Sequence, residues 1–315
     1  MSDKNYAPVV LFVYNRADHL EKTYQALSQC PEAAETDLYI FSDGWKNEQG
    51  REKVQMVRDA LRLIEQKKDF RSVTVTESPV NKGLARSIID GVTKIVNKYG
   101  RVAVLEDDSC VSPYYLKFIN NCLDFYESDE RVGSIAGFTP AIRFPDDFRD
   151  DVFFAFRSCS CGWATWKDRW DNISWDLSNI GDFYRDPKLV KKLNSCGADR
   201  FIRLYRQTKG NGSSWSVRFG AHLVQHDWMT VYPRYSYISN IGCDESGVHS
   251  KSEDAEKMKV DLTKAIAEPD LSDIEYRKDI QKIMKKHYSG GFISDVKRTV
   301  ATKAIIAKER IRLGK

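Results

Sequence analysis

The chain has 315 residues, is 42% hydrophobic and 30% charged, and carries a net charge of +4. This length suits one large domain or two small ones, and the composition is that of an ordinary globular protein. No secretory signal is expected, because the N-terminus lacks an apolar segment, and the apolar runs are too short to span a bilayer. Seven scattered cysteines without a CxxC pair predict reduced thiols in a cytoplasmic protein.

Strand-like and helix-like patterns alternate through the first third of the chain. APVVLFVYN predicts a buried strand, and a helix follows from His19 to Cys30, which Asp18 could cap. DLYIFSDG and SVTVTES predict two further strands, followed by helices over about 48–67 and about 84–98, and RVAVLEDD predicts a fourth strand. This alternation predicts an α/β fold with a mostly parallel, Rossmann-like sheet and helices on both faces.

Each predicted strand ends in polar residues: YNR at 14–16, SDG at 42–44, NKG at 81–83 and EDD at 106–108. In parallel α/β sheets the ligand lies beyond the carboxyl ends of the strands, so these residues predict a binding site. The chain has no GxGxxG after the first strand and no GxxxxGK[ST]. A dinucleotide-binding site or a P-loop is therefore disfavoured.

Five motifs follow one another in the order PVVLFVYNR, SDG, NKGLARSI, VLEDD and SCGWATW. Together they resemble nucleotide-sugar glycosyltransferases of the GT-A fold. The set is similar to bacterial polysaccharide (capsule and O-antigen) glycosyltransferases and, more distantly, to N-acetylglucosaminyltransferase I, and covers roughly residues 8–250. The resemblance implies an α/β domain that binds a nucleotide diphosphate sugar, commonly a UDP-sugar, with Mn²⁺ or Mg²⁺ and transfers the sugar to a hydroxyl.

The three adjacent acids Glu106, Asp107 and Asp108 fit this chemistry. A hard divalent cation shared by carboxylate and diphosphate oxygens would stabilise the charge that develops on the leaving group. The resemblance implies that Asp108 is the metal ligand, and that Glu106 and Asp107 contact the ribose or the donor sugar. The alternative is an acidic turn that caps the next helix, although Ser112-Pro113 already supplies a helix start.

The resemblance implies donor contacts from six further residues: Tyr14, Asn15, Arg16, Asp43, Lys82 and Arg86. The first three would surround the nucleobase and ribose, the aspartate would bind the base, and the last two would face the diphosphate or base. The alternative is that these two cations have no ligand: Lys82 would be an exposed loop charge, and Arg86 would be a charge on the surface of a helix. In SNIGCDESGVHS (239–250), the resemblance implies that His249 is a second metal ligand.

The acceptor side and the general base are less well defined by the motifs. The resemblance implies that Trp163, in the GWAT motif, contacts the acceptor. An inverting transfer needs a carboxylate base, but Ser213 or Ser214 stands where the resemblance would put one. The sequence therefore leaves three options: a base at Asp244 or Glu245, a retaining mechanism, or an impaired enzyme.

The C-terminal segment is basic, with nine Lys and Arg against two acidic residues from residue 285 onward. We expect a glycosyltransferase domain over 1–265, with a nucleotide-sugar-binding half (1–110) and an acceptor half (111–265), followed by a basic helical segment over 266–315. Apolar residues at helical spacing in this segment predict either contact with anionic lipid or packing on the protein itself: Ile293, Val296, Val300, Ala304, Ala307 and Ile311. Basic charge confined to this segment argues against a nucleic-acid partner.

The predicted function is metal-assisted transfer of a sugar to a glycan or lipid-linked oligosaccharide in surface polysaccharide synthesis. The expected location is the cytoplasm, at the inner face of the plasma membrane. A nucleotidyltransferase is an alternative, although the first strand lacks the usual glycine-rich loop. A non-catalytic nucleotide-sugar-binding protein is another, because the expected base is missing.

Overall fold

The computed structural model describes residues 6–171, 173–244, 260–271 and 275–314. Within these ranges the strands and helices are, in chain order: β1 (Val9–Val13), α1 (Ala17–Ser28), β2 (Asp37–Ser42), α2 (Glu48–Ile64), β3 (Ser72–Glu77), α3 (Leu84–Tyr99), β4 (Arg101–Glu106), β5 (Ser109–Val111), α4 (Tyr115–Phe125), β6 (Val132–Ala136), β7 (Val152–Ala155), β8 (Trp163–Trp166), α5 (Lys167–Trp170), α6 (Gly181–Arg185), α7 (Pro187–Leu193), α8 (Arg200–Gln207), α9 (Trp215–Gln225), β9 (Met229–Pro233), β10 (Ile238–Asn240), α10 (Lys278–His287) and α11 (Phe292–Arg312).

In the described part of the chain, eight strands form one central sheet in the order β3-β2-β1-β4-β8-β6-β9-β7. The first four strands are mutually parallel, which confirms the predicted α/β fold with a Rossmann-like half. β8 runs antiparallel between β4 and β6, and β7 is antiparallel to β9 at the other edge. The sheet is therefore mostly parallel, with two reversed strands in its second half that the sequence patterns did not predict.

Helices cover both faces of this sheet, as its continuous apolar strands require. In β1, Val9, Leu11 and Val13 belong to one buried cluster, which helices α1 and α4 complete. The alternate residues Val10 and Phe12 belong to a second cluster on the opposite face, with α3 and α9. A strand that is apolar at every position thus contributes to two cores because successive side chains point to opposite faces.

The strand order sets the position of the site. β1 lies between β2 and β4, so the connections that leave β1 and β4 diverge at the carboxyl edge of the sheet. Such a divergence opens a crevice in which α/β proteins bind their ligands. The N-cap position of α1 is Arg16 and Asp18 lies in its first turn, so Asp18 does not cap the helix as the sequence suggested.

The C-terminal helices pack on the main body of the protein. Ile280 and Met284 of α10 are buried in the same cluster as the central sheet, and the Gln281 side-chain amide donates to the Phe154 carbonyl over 2.6 Å. α11 packs on α6 and α8. In the described ranges, none of the helices has the length and apolar character needed to cross a bilayer.

A buried histidine makes the fold sensitive to acid. His222 of α9 is buried, and burial together with nearby His226 lowers its pKa from 6.5 to about 4. The unfolded chain binds this proton near pH 6.5, whereas the folded chain binds it only near pH 4. The stability contributed by neutral His222 is therefore complete above pH 6.5 and is lost as the pH falls through 4.

We expect the free energy of unfolding to fall by up to about 3 kcal/mol from this group between neutral pH and pH 4. His222→Gln, which cannot take up the proton, should flatten that decline in urea unfolding curves measured across this range. His226→Gln, at an exposed position of the same helix end, is the matched control and should keep most of the decline. Equal pH slopes for His222→Gln and the wild type would contradict the assignment.

Candidate functional site

A cluster of charges occupies the crevice between the ends of β1 and β4. The two strands pair with Phe12 opposite Glu106, so the residues that follow each strand lie side by side. The Arg16 guanidinium bridges two carboxylates: Nη2 donates to Asp107 Oδ1 and, over 3.0 Å, to Asp108 Oδ2. The Tyr14 backbone N–H donates to Asp107 Oδ2 over 3.3 Å. Asn15 is half-buried in the same loop.

A second segment, residues 239–242, closes over these acids. β10 pairs antiparallel with β5, and Asn240 lies opposite Ser109, next to the acids. The Asn240 amide donates to Asp108 Oδ1 over 3.1 Å, and the Ile241 N–H donates to the Asp108 carbonyl over 2.9 Å. Gly242 follows at very close range: a Cβ there would lie 2.2 Å from Asp108 Oδ2 and 2.8 Å from Arg16 Nη1.

Burial raises the pKa of two of these acids, Glu106 and Asp107. Burial, then the charges of Asp108 and Asp107, raise the pKa of Glu106 to about 8, against the opposing effect of Arg16. Burial also raises the pKa of Asp107, although Arg16 works against the shift. Burial disfavours the charge of Arg16, but its contacts with Asp107 and Asp108 prevail and raise its pKa. The guanidinium is thus the cation that this cluster depends on.

The expected divalent cation fits these residues only in part. Both Asp108 oxygens are engaged, one with Arg16 and one with Asn240. Within the described ranges, no three His, Cys, Asp or Glu side chains are grouped to hold a metal. Mg²⁺ is commonly bound by one or two carboxylates, with water and substrate phosphates completing the shell. Among the described residues, the arrangement fits such a shared cation once Arg16 leaves Asp108, and does not fit a cation bound by protein alone.

Asp43, after β2, anchors a loop. Its carboxylate accepts the backbone N–H groups of Lys82 and Gly83, each over 2.9 Å. Gly44 permits this approach, because a Cβ there would lie 2.5 Å from the Val80 carbonyl carbon. The Asp43 N–H donates to the Val13 carbonyl over 3.2 Å. Asp43 therefore joins the loop before α3 to the edge of the crevice, and its contact with a nucleobase stays a prediction.

Lys82 and Arg86 share one acidic partner. Lys82 Nζ lies 3.6 Å from Asp90 Oδ2, and Arg86 Nε lies 2.8 Å from Asp90 Oδ1. Arg86 is mostly exposed, and it lines an open groove with Asp90, Trp170 and Trp175. The two cations thus lie near each other around the start of α3, paired with one carboxylate, and their contact with a diphosphate stays a prediction.

Trp163, the predicted acceptor contact, is a core residue in this structure. It is 1% exposed in β8, and its ring centroid lies 4.8 Å from that of Trp215 and 5.6 Å from that of Trp170, both stacked. Phe219 packs on it as well. The ring therefore presents no open face to a sugar. The half-buried Trp175 is the more accessible aromatic side chain of this region.

Of the two candidate bases, Asp244 comes two residues after Gly242, which lies against Asp108. It follows the 239–242 segment, its side chain is 49% exposed, and its Oδ2 lies 3.2 Å from His19 Nε2. The same His19 nitrogen lies 3.3 Å from the Ile241 carbonyl. Glu245 and the predicted metal ligand His249 lie outside the described residues, so their roles stay predictions.

Sequence reasoning missed four residues that shape this site. His19 contacts Asp244, Asn240 and Gly242 contact Asp108, and the Thr23 hydroxyl donates to the Asp107 carbonyl over 2.7 Å. His19 and Thr23 are one helical turn apart in α1, directly after the YNR loop, and that spacing was an available signal. Asn240 and Gly242 are more than 130 residues from Asp108, so only the β5–β10 pairing brings them there.

Comparison with known proteins gives a sequence relative but no family profile that matches. The chain is 26% identical over 192 residues to alpha-1,3-mannosyl-glycoprotein 2-beta-N-acetylglucosaminyltransferase of Arabidopsis thaliana. The aligned region is 57% of this chain, and it spans less than half, 42%, of that relative. The chain is thus similar in sequence to a glycosyltransferase, in agreement with the resemblance of its motifs.

Two solved structures of S. aureus TarS are similar at a lower level. TarS 1–349 has a TM-score of 0.34 and 11% identity, with 50% of this chain and 47% of that one covered. TarS in a second structure has a TM-score of 0.39 and 11% identity, with 73% of this chain and 36% of that one covered. These likenesses are too weak for us to infer anything from them.

We expect Arg16→Ala to lower the free energy of unfolding by on the order of 3 kcal/mol, because it leaves the buried Asp107 and the half-buried Asp108 carboxylates without their cation. Arg16→Ala combined with Asp107→Asn and Asp108→Asn should regain much of that loss in urea unfolding. Arg62→Ala, which breaks an exposed pair with Asp59 on α2, is the control and should change stability little. A triple variant less stable than Arg16→Ala would contradict the charge account.

Proposed function

We propose that this protein is a glycosyltransferase that moves a sugar from a nucleoside diphosphate sugar to a hydroxyl of a glycan. The observation that carries the proposal is the Arg16–Asp107–Asp108 cluster in the crevice where β1 and β4 diverge. A crevice of this kind suits a nucleotide. Its charges suit a diphosphate donor, since the site holds both a cation for the phosphates and carboxylates for ribose and sugar hydroxyls.

The sequence relative supports the donor class. Its name describes transfer of N-acetylglucosamine to a mannosyl glycoprotein. We therefore propose a hexosyl or N-acetylhexosaminyl donor, and UDP as its nucleotide on the strength of the motif resemblance. Glu106 and Asp107 would accept hydrogen bonds from the ribose or sugar hydroxyls. Tyr14, Asn15 and Asp43 would contact the uridine.

Charge compensation would change when the donor binds. The diphosphate brings its own negative charge toward Arg16, which offers up to five N–H donors in a fork that suits phosphate oxygens. Release of Asp108 from Arg16 would leave that carboxylate to hold Mn²⁺ or Mg²⁺, with His249 as the second proposed ligand. The bound cation would supply electrophilic stabilisation of the leaving diphosphate. Lys82 and Arg86 would add positive charge on the same side.

In the transfer, an acceptor hydroxyl oxygen bonds to the anomeric carbon while the bond from that carbon to the diphosphate oxygen breaks. The hydroxyl proton must go to a base. We assign this role to Asp244, because its carboxylate is accessible and it comes two residues after Gly242, in the segment that covers Asp108. His19 would act as a positioning residue, since its ring is buried against the same segment.

We propose that the acceptor is a glycan or lipid-linked oligosaccharide of a surface polysaccharide, assembled at the inner face of the plasma membrane. The resemblance to capsule and O-antigen glycosyltransferases supports this setting. The division into a donor half (1–110), an acceptor half (111–265) and a basic segment (266–315) remains part of the proposal.

Donor binding is tested by calorimetric titration of a panel of nucleotide sugars with and without Mn²⁺. We expect one UDP-sugar to bind, and Asp108→Asn to weaken its metal-dependent binding at least about tenfold, because a hard cation loses its charged ligand. Asp59→Asn, an exposed and ion-paired aspartate on α2, is the matched control and should bind normally.

The outcomes separate the alternatives. If no nucleotide sugar binds with or without the metal, the transferase proposal fails. If a donor binds but no glycan acceptor causes release of the nucleotide, the protein is a non-catalytic binding protein. Release of pyrophosphate from a nucleoside triphosphate and a sugar phosphate indicates a nucleotidyltransferase.

The base assignment has its own test. We expect Asp244→Asn to bind the donor normally and to lower kcat by about 10²-fold or more, because the amide cannot take the hydroxyl proton. The acidic limb of the pH–rate profile should disappear with it. Asp176→Asn, in an exposed loop, is the control. Unchanged kcat for Asp244→Asn would exclude this residue as the base.

A further inference from the structure

The outer face of α11 is apolar and uncovered. Six residues at spacings of three and four form a stripe along the helix, and all six are exposed: Ile293, Val296, Val300, Ala304, Ala307 and Ile311. The exposed fraction reaches 70% at Ile293, 61% at Val300 and 78% at Ile311. Phe292 extends the stripe at its start and is 84% exposed. With 1.5 Å per residue, the stripe is ~27 Å long.

The opposite face of α11 is docked on the protein. Thr302 and Glu309 are buried, and Ile305 and Ile306 pack on the cluster formed by α6 to α9. Glu309 Oε1 accepts a hydrogen bond from the Tyr205 hydroxyl over 2.9 Å. These contacts settle which side of the helix faces the protein, so the apolar stripe is not the surface that packs against it. Of the two alternatives left by the sequence, packing of this stripe on the protein is wrong.

Arg310 fixes the end of the helix in the same orientation. Its Nη2 donates to the Arg185 carbonyl over 3.0 Å and its Nε donates to the Tyr184 carbonyl over 2.5 Å. At the other end, Asp295 Oδ2 accepts from the Ser289 hydroxyl over 2.7 Å. The helix is therefore held at its C-terminal end by another helix, with its apolar stripe outward, and its first turn is fixed by the preceding loop.

The charges beside the stripe are positive. α11 has six basic and two acidic side chains, a net charge of +4. Lys297 and Lys308 flank the stripe on one side and Lys303 on the other, as the 100° rotation per residue requires, and all three are exposed. Both acids are engaged away from it: Glu309 with Tyr205 and Lys209, and Asp295 with Ser289 and Arg298.

We infer that α11 lays this stripe on an anionic lipid surface and so holds the protein at a membrane. An apolar face between lysines matches the boundary between acyl chains and acidic headgroups, because the side chains enter the acyl region while the ammonium groups extend toward the phosphates. The inference does not depend on the enzymatic activity proposed above.

A second copy of the chain fits this face less well. Symmetric pairing of two such stripes would bring two helices of charge +4 together, with their carboxylates already engaged on the inner side. Like charges along such an interface repel, whereas an anionic bilayer attracts every lysine beside the stripe. Charge complementarity thus favours the lipid surface.

The test is flotation of the full chain with vesicles of phosphatidylcholine alone and of phosphatidylcholine containing about one third phosphatidylglycerol. We expect binding to the anionic vesicles that weakens as salt is raised. Val300→Asp with Ile311→Asp should reduce it at least about tenfold, because both changes put a carboxylate in the stripe. Leu63→Asp, at a comparably exposed leucine of α2, is the matched control and should bind as the wild type does.

Circular dichroism and light scattering accompany the flotation. The variants should retain the wild-type fold, because all three positions are exposed. Absence of binding to either vesicle, or equal binding by the doubly substituted chain, would overturn the inference. A dimer that Val300→Asp with Ile311→Asp converts to a monomer, in a chain that does not float with vesicles, would instead make this face a contact between copies. Donor binding is measured separately, so either proposal can fail alone.

Discussion

One guanidinium compensates a buried and a half-buried carboxylate, and the candidate site depends on this interaction. Asp107 and Asp108 follow one strand, Arg16 follows its neighbour, and the three side chains meet where the strands diverge. An isolated buried charge is costly. The salt bridges of Arg16 with the two aspartates therefore hold the loops after β1 and β4 together. The same pairing makes the cluster suited to exchange partners when a phosphate arrives, since Arg16 binds carboxylates and phosphates alike.

Two halves of the chain build this site by different means. The parallel half brings polar strand ends to one edge through regular βα units. The second half contributes through the short β5–β10 pairing, which lays Asn240 and Gly242 over Asp108. Between the halves, antiparallel β8 carries Trp163 into an aromatic cluster. That tryptophan supports the fold beneath the site and does not line it.

α11 shows how one helix can satisfy two environments. Its inner face has a few polar anchors, such as Glu309 against Tyr205, among small and branched apolar side chains. Its outer face is a separate stripe of apolar residues between lysines. Periodicity alone could not show which face of the helix contacts the protein, because apolar side chains occur on both. The contacts with α6 and α8 identify the inner face.

The sequence by itself determined the parallel half of the sheet and the residues at its edge, because these follow from local hydrophobic periodicity and from the rule that parallel strands end together. Only the tertiary structure decided the rest. It inserted β8 between β4 and β6, brought Asp244 and His19 together, buried Trp163, and turned the stripe of α11 outward. Each of these depends on contacts between residues far apart in the chain, whose free energy no local pattern encodes.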